Sequence, residues 1–370
     1  MKRGWIYFAL VTGATGAVVG PLGCGSSNPP PKPVGTAQAL RDPQTCNGCH
    51  PSHYGDWARS MHAYASDDPV FLAMNARGQR ETGGMLGDFC VKCHAPMAVR
   101  DNLTKDGLNL ASLDAGEKGV TCFFCHSVNS VGASHVNADL TLADDLVMRG
   151  EVPDPQANTE HASMYSTLQD DRKLDTAAMC GTCHDIQTPK ILTNPGGGRI
   201  ERTFEEWSTS VFNTSATCAV NGNCHMKSNT TLVPIAKGGK PRLFRSHDFP
   251  AVDITFDPAP VHSGFGTRAD QQAAVELSLA DALQGALCVN SRGGVRVFLD
   301  GSGPGHNFPS GAAQDRRTWV EVVAEKNGAP FYSSGSVPAG TPVGSDPTDK
   351  DLWLLRDQMF DPNDAKVDMF

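Results

Sequence analysis

Cys46-Asn-Gly-Cys49-His50 sets two thiols three positions apart and an imidazole directly after the second. The spacing recurs at Cys90-Val-Lys-Cys93-His94, Cys122-Phe-Phe-Cys125-His126 and Cys180-Gly-Thr-Cys183-His184. This is the spacing of c-type haem attachment: the thiols add to the two vinyl groups of one porphyrin, and the next residue offers an imidazole to the iron. Zinc ribbons do not require a histidine after every pair. A thioredoxin-like redox site would occur once, inside a βαβ pattern that is absent. Four covalent haems also explain how a loop-rich chain can be filled, because the cofactor itself becomes core.

A wider fifth candidate follows, Cys218-Ala-Val-Asn-Gly-Asn-Cys224-His225, whose Asn-Gly can form a tight turn. A small disulfide loop is the competing reading. Five haem c groups are therefore expected, held by ten cysteines, with His50, His94, His126, His184 and His225 as proximal ligands. Of the twelve cysteines, Cys24 and Cys288 remain. Cys288 lies in an apolar run and is expected to be buried.

Composition agrees with a cofactor-filled interior. Aromatic residues make up 7% of the chain, and 38 Gly and 25 Pro leave little room for long helices. The formal charge of −9 argues against nucleic-acid binding.

The N-terminus carries a targeting pattern. Lys2 and Arg3 precede an apolar, small-residue stretch over Trp5–Val19, too short and Gly-rich for a good membrane span. Pro21-Leu-Gly-Cys24 then resembles a lipoprotein cleavage box, with Leu22 one place nearer the cysteine than usual. Residues 1–23 are expected to be a signal peptide, Cys24 a lipidation site, and 24–39 a Pro-rich tether. A plain secretory signal is the alternative; either reading exports the protein, to the periplasm or as an outer-membrane lipoprotein.

Seven further histidines remain, enough to place a second imidazole on each iron. His62, His161, His247 and His306 are the main distal candidates. His53, His135 and His262 are weaker. Met61, Met74, Met97, Met179 and Met226 are also able to ligate, though methionine more often packs. Tyr54–Ala65 reads as a short amphipathic helix that would aim His62 at a haem.

The run Cys46-Asn-Gly-Cys-His-Pro-Ser-His-Tyr-Gly-Asp-Trp57-Ala-Arg-Ser60-Met-His62 resembles the opening motif of bacterial multihaem cytochromes c, a family that includes the tetrahaem carrier used by nitrifiers with hydroxylamine oxidoreductase. Cys93-His-Ala-Pro96-Met97, Gly119-Val-Thr-Cys122, Cys180-Gly-Thr-Cys-His184-Asp185 and Cys224-His225-Met226 follow in the family's order, over residues 40–250. The resemblance implies that His62 and His161 are distal ligands. It also raises one five-coordinate haem, which that carrier has. The wide Cys218/Cys224 spacing departs from the family's pattern.

Attachment motifs stop before residue 270. Val295–Leu299 and Trp319–Val323 alternate as strands, and Asn327-Gly328 marks a hairpin. The segment Gly305-His-Asn-Phe-Pro-Ser-Gly311 resembles the C-terminal β domain of some multihaem cytochromes. The expected architecture is a mostly irregular, short-helix multihaem domain over 40–270. A small all-β, sandwich-like domain over 271–370 follows it, with the sheet short of a strand or the chain a fragment. The expected function is electron transfer between redox partner proteins, with membrane contact only through a lipid anchor and no catalytic residues. The alternative is an oxidoreductase with one open haem acting on a small nitrogen or sulfur species.

Overall fold

The computed structural model describes residues 35–189, 198–219, 224–256, 268–338, 341, 349–361 and 363–367. The signal peptide, Cys24, the N-terminal part of the tether and His262 lie outside them. Pro31–Phe370 forms one compact unit. No helix among the described residues is long and apolar enough to cross a membrane.

The haem-motif region is built from short helices whose boundaries are written in the sequence. They are α1 (Ala37–Arg41), α2 (Pro43–Asn47), α3 (Pro51–Ala58), α4 (Met61–Tyr64), α5 (Pro69–Glu81), α6 (Val91–His94), α7 (Pro96–Arg100), α8 (Cys122–Ser127), α9 (Asp175–Gly181) and α10 (Thr203–Thr209). Four of them start on a proline in the first turn, where the missing N–H costs nothing. Asp42 and Asp68 cap α2 and α5 by accepting Gln44 and Val70 N–H at 2.9 and 3.1 Å. The single helix expected over Tyr54–Ala65 is two helices. Ser60 Oγ donates to Trp57 O at 2.7 Å and accepts Ala63 N–H at 3.4 Å, closing α3 and opening α4.

The buried apolar residues fall into separate small clusters. Phe71, Val91, Ala95, Ala98 and Leu110 form one; Leu40, Met97, Phe123 and Phe124 another; Tyr54, Trp57, Ala58 and Ala63 a third.

Beyond α11 (Arg268–Ala280) the described residues are β-structured. The region contains the expected strands, but they form separate two-stranded ladders rather than the two packed sheets of a sandwich. Gln284–Val289 pairs antiparallel with Val295–Asp300, and Val322–Lys326 with Ala329–Ser334. The second hairpin turns at Asn327-Gly328, both at positive φ (54° and 77°), as Asn-Gly allows. The strand expected over Trp319–Val323 is interrupted at Glu321. Thr318–Val320 pairs with Trp353–Leu355, while Val322 joins the hairpin. Cys288 is exposed, not buried, because no further layer covers its ladder among the described residues.

Candidate haem-binding site

Each attachment motif is one helical turn. His50, His94 and His184 N–H donate to the carbonyl of the first cysteine, Cys46, Cys90 and Cys180, at 2.7, 3.3 and 3.1 Å. Cys122–His126 lies inside α8, which Thr121 caps by accepting Phe124 N–H at 3.3 Å. The stretched motif closes in the same way: His225 N–H donates to Cys218 O at 3.0 Å. The histidine therefore returns to its place relative to the first thiol despite the longer spacing. None of the described cysteines forms a disulfide.

Four of the five motif histidines face an imidazole from elsewhere in the chain. His50 faces His161 with ring centroids 6.3 Å apart, and His184 faces His62 at 6.1 Å. His126 faces His247, and His225 faces His306, each at 6.4 Å. Two imidazoles on opposite sides of one metal, each with a bond of about 2.0–2.1 Å and a nitrogen-to-centroid distance of about 1.1 Å, have centroids about 6.2–6.4 Å apart. The pairs are thus too far apart for direct stacking and at the spacing for an iron between them. Among the described residues no imidazole stands at this distance from His94, whose ring lies flat against Phe71 at 3.9 Å.

The ring nitrogens are sorted by the backbone. Nδ1–H of His50 donates to Ile235 O (2.8 Å), of His94 to Ala65 O (2.9 Å) and of His225 to Pro250 O (2.7 Å). His126 donates to Arg149 O. Among the partners, His247 donates to Arg245 O (2.9 Å) and His306 to Asn307 O (2.8 Å). Fixing Nδ1 as donor leaves Nε2 as the lone-pair nitrogen, the arrangement that orients ligating histidines. Burial also holds the rings neutral, the form that binds metal. It pushes His126, His184 and His247 down to about 4 and His62 to about 3, with neighbouring imidazoles adding to the effect.

All four pairs and His94 line one cavity of 1810 Å³. An ordinary ligand pocket is about 300–1,000 Å³. Thiols of different motifs meet along it. Cys46 lies beside Cys122, Cys93 beside Cys183, and Cys180 beside Cys218. The donor set, the ring spacing and the cavity fit several covalent haems.

Residues 45–127 match the sequence model of the cytochrome c554 and c-prime family. This stretch is similar to a cytochrome c. It spans the first three attachment motifs and the helix carrying His62, and it implies covalently bound haem c, iron binding and haem-based electron transfer. It does not reach the fourth and fifth motifs or the β region. No curated protein and no solved structure matches the chain.

The remaining candidates divide. His53 lines the cavity but packs edge-on between His50 (5.8 Å) and His247 (4.9 Å), not at ligand spacing. Burial, with those imidazoles, pushes it down to about 2. His135 contacts Phe204 at 5.1 Å and lines a separate pocket. Met97 is core, Met74 lies on α5, and Met179 Sδ accepts Gln169 Nε2–H at 3.6 Å; Met61, Met179 and Met226 line the cavity.

Sequence reasoning missed the groups that hold the rings. Most are main-chain carbonyls and have no residue signature. Gly119 did leave one: its φ is +65°, and a Cβ there would sit 2.6 Å from Ala63 O. That close approach lets Val120 N–H reach His62 O at 2.9 Å and Trp57 Nε1–H reach Val120 O at 2.8 Å.

Proposed function

We propose that the chain is a five-haem electron carrier in which four haems have two histidine ligands each. His50/His161, His126/His247, His184/His62 and His225/His306 are the axial pairs, and His94 is the proximal ligand of the remaining haem. The ten cysteines of the five motifs form the thioethers. The observation that carries this reading is the common 6.1–6.4 Å spacing of four imidazole pairs, each joining a motif histidine to a non-motif one.

Haem c, when bound, supplies a one-electron iron couple. The chain's own residues do the rest. Carbonyls fix His50, His94, His126, His225, His247 and His306 at Nδ1, so their Nε2 is presented without reorganisation. The thiol contacts put the first motif against the third, the second against the fourth, and the fourth against the fifth. Saturating both sides of an iron with imidazole leaves no position for substrate, which favours a carrier over a catalyst. Lipid-anchored export and a pair of redox partner proteins complete the proposal.

A second reading has one supporting observation. His94 is the motif histidine with no imidazole opposite it among the described residues, and an open iron there would suit an oxidoreductase acting on a small nitrogen or sulfur species.

Mass spectrometry of the mature protein tests haem number: five haem additions are expected, and four in Cys218→Ala/Cys224→Ala. Carbon monoxide titration of the reduced protein tests ligation. Binding at no more than one haem per chain agrees with the proposal; binding at three or more overturns it. Steady turnover of nitrite or hydroxylamine would favour the second reading.

A further inference from the structure

The six residues Arg245-Ser-His-Asp-Phe-Pro250 touch imidazoles of three different pairs. Arg245 O accepts Nδ1–H of His247 itself at 2.9 Å. The Phe249 ring stands edge-on to His62 at 4.5 Å and to His247 at 5.6 Å. Pro250 O accepts Nδ1–H of His225 at 2.7 Å. One short strap therefore orients ligands belonging to the third, fourth and fifth attachment motifs.

The strap is held from outside by α3, the helix that follows the first motif. Asp56 Oδ2 accepts His247 backbone N–H at 3.1 Å. Arg59 bridges Asp56 Oδ1 and Asp248 Oδ1, both at 2.5 Å, and Ser246 Oγ donates to Asp248 Oδ2 at 2.8 Å. Asp56 is 8% exposed, so its carboxylate is committed to these contacts rather than to water. The backbone at Phe249 is left-handed, φ +44°. For a bulky side chain this is a costly conformation, and it persists only where the surroundings over-determine it. Contacts to two imidazoles on one side and an ion network on the other supply that determination.

We propose that Asp56 and Phe249 are positioning residues: through the 245–250 strap they set the ligands His247 and His62, and with Pro250 O they couple three haem sites to the first motif's helix. The inference rests on the bis-histidine reading above.

The test uses the mature holoprotein and three variants: Asp56→Ala, Asp56→Asn and Phe249→Ala. Low-spin haem content is read by electron paramagnetic resonance, and open iron by carbon monoxide bound per chain. Asp56→Ala is expected to bind at least one more carbon monoxide than wild type, with low-spin signal lost in proportion. Asp56→Asn keeps an oxygen acceptor for His247 N–H and is expected to restore the wild-type count. Phe249→Ala is expected to raise the count by one to two. Wild-type spectra, carbon monoxide count and midpoint potentials in both Asp56→Ala and Phe249→Ala would overturn the proposal, whatever their melting temperatures. Should Asp56→Ala not mature, Phe249→Leu, which keeps bulk but loses the ring edge, replaces it; an unchanged count there counts against the proposal in the same way. His247→Ala separates the two levels. If it does not open one haem, the bis-histidine reading fails, not the positioning.

Discussion

If His62 and His247 ligate haem as proposed, acidification should loosen them before it unfolds the chain. His62 is pushed down to about 3 and His247 to about 4, by burial first. An unfolded histidine titrates near 6.5. Between these values the released imidazole takes up a proton that the folded one refuses. Stability from these groups is therefore complete above about 6.5 and is lost as pH falls, at about 1.4 kcal/mol per unit for each ring. At pH 5 the loss is about 2 kcal/mol per ring, about 4 kcal/mol for both, and about 6 kcal/mol with His53, which burial pushes down to about 2. Proximal imidazoles contribute less, since their motifs keep them beside the iron in the unfolded chain. Glu201 opposes the effect. Burial pushes it up to about 7, so the folded state binds its proton first. That term stabilises on acidification, by about 2 kcal/mol between pH 7 and 5, and is lost as pH rises through 7. Guanidinium unfolding at pH 7 and 5 should accordingly show a net loss of about 4 kcal/mol in the native chain and about 6 kcal/mol in Glu201→Gln. Low-spin content should fall over the same range as the distal rings leave. A Glu201→Gln protein equally stable at pH 7 and 5, with unchanged low-spin content, would refute the reasoning.

Two further outcomes follow from the geometry. His306→Ala should open one haem to carbon monoxide, counted by titration of the reduced protein, and leave the other four haems spectrally unchanged, because among the described residues the ring that His306 faces at ligand spacing is His225. Phe123→Ala should cost about 3–5 kcal/mol in guanidinium unfolding, since the ring is 1% exposed in the cluster with Met97 and Phe124 and cannot be replaced by water.

Much of the site was legible in the chain, and the reason is chemical. A motif that carries two thiols and an imidazole at fixed spacing folds as one turn wherever it stands, so five local segments could be read without knowing the fold. The partner imidazoles were harder. His62 and His161 were implied by a resemblance, and His247 and His306 by context; the pairing itself depends on contacts such as His225 with His306, 81 positions apart in sequence, which no local pattern encodes. The carbonyl supports were not legible. Ile235, Arg149 and Pro250 act through their carbonyls, and any residue type supplies one. In the β region, alternation located the strands but could not decide how many would share a sheet. Leu287 and Val289 are both mostly exposed on their ladder, so the apolar pattern that suggested a sandwich does not by itself supply the second layer.

The separate core clusters and the large histidine-lined cavity are two sides of one economy of folding. An ordinary domain of this length buries a contiguous apolar core. Here Phe71, Phe123 and Trp57 belong to three different small clusters. The surface common to the attachment motifs faces the cavity instead, where neutral imidazoles and thiols converge. Without a cofactor that space would carry the full cost of unfilled volume and of polar rings stripped of water. Filled by covalently attached haem, the same space becomes the packing that joins the clusters, and the histidine nitrogens gain the partner that desolvation denies them. With haem bound as proposed, the core is complete only in the holoprotein.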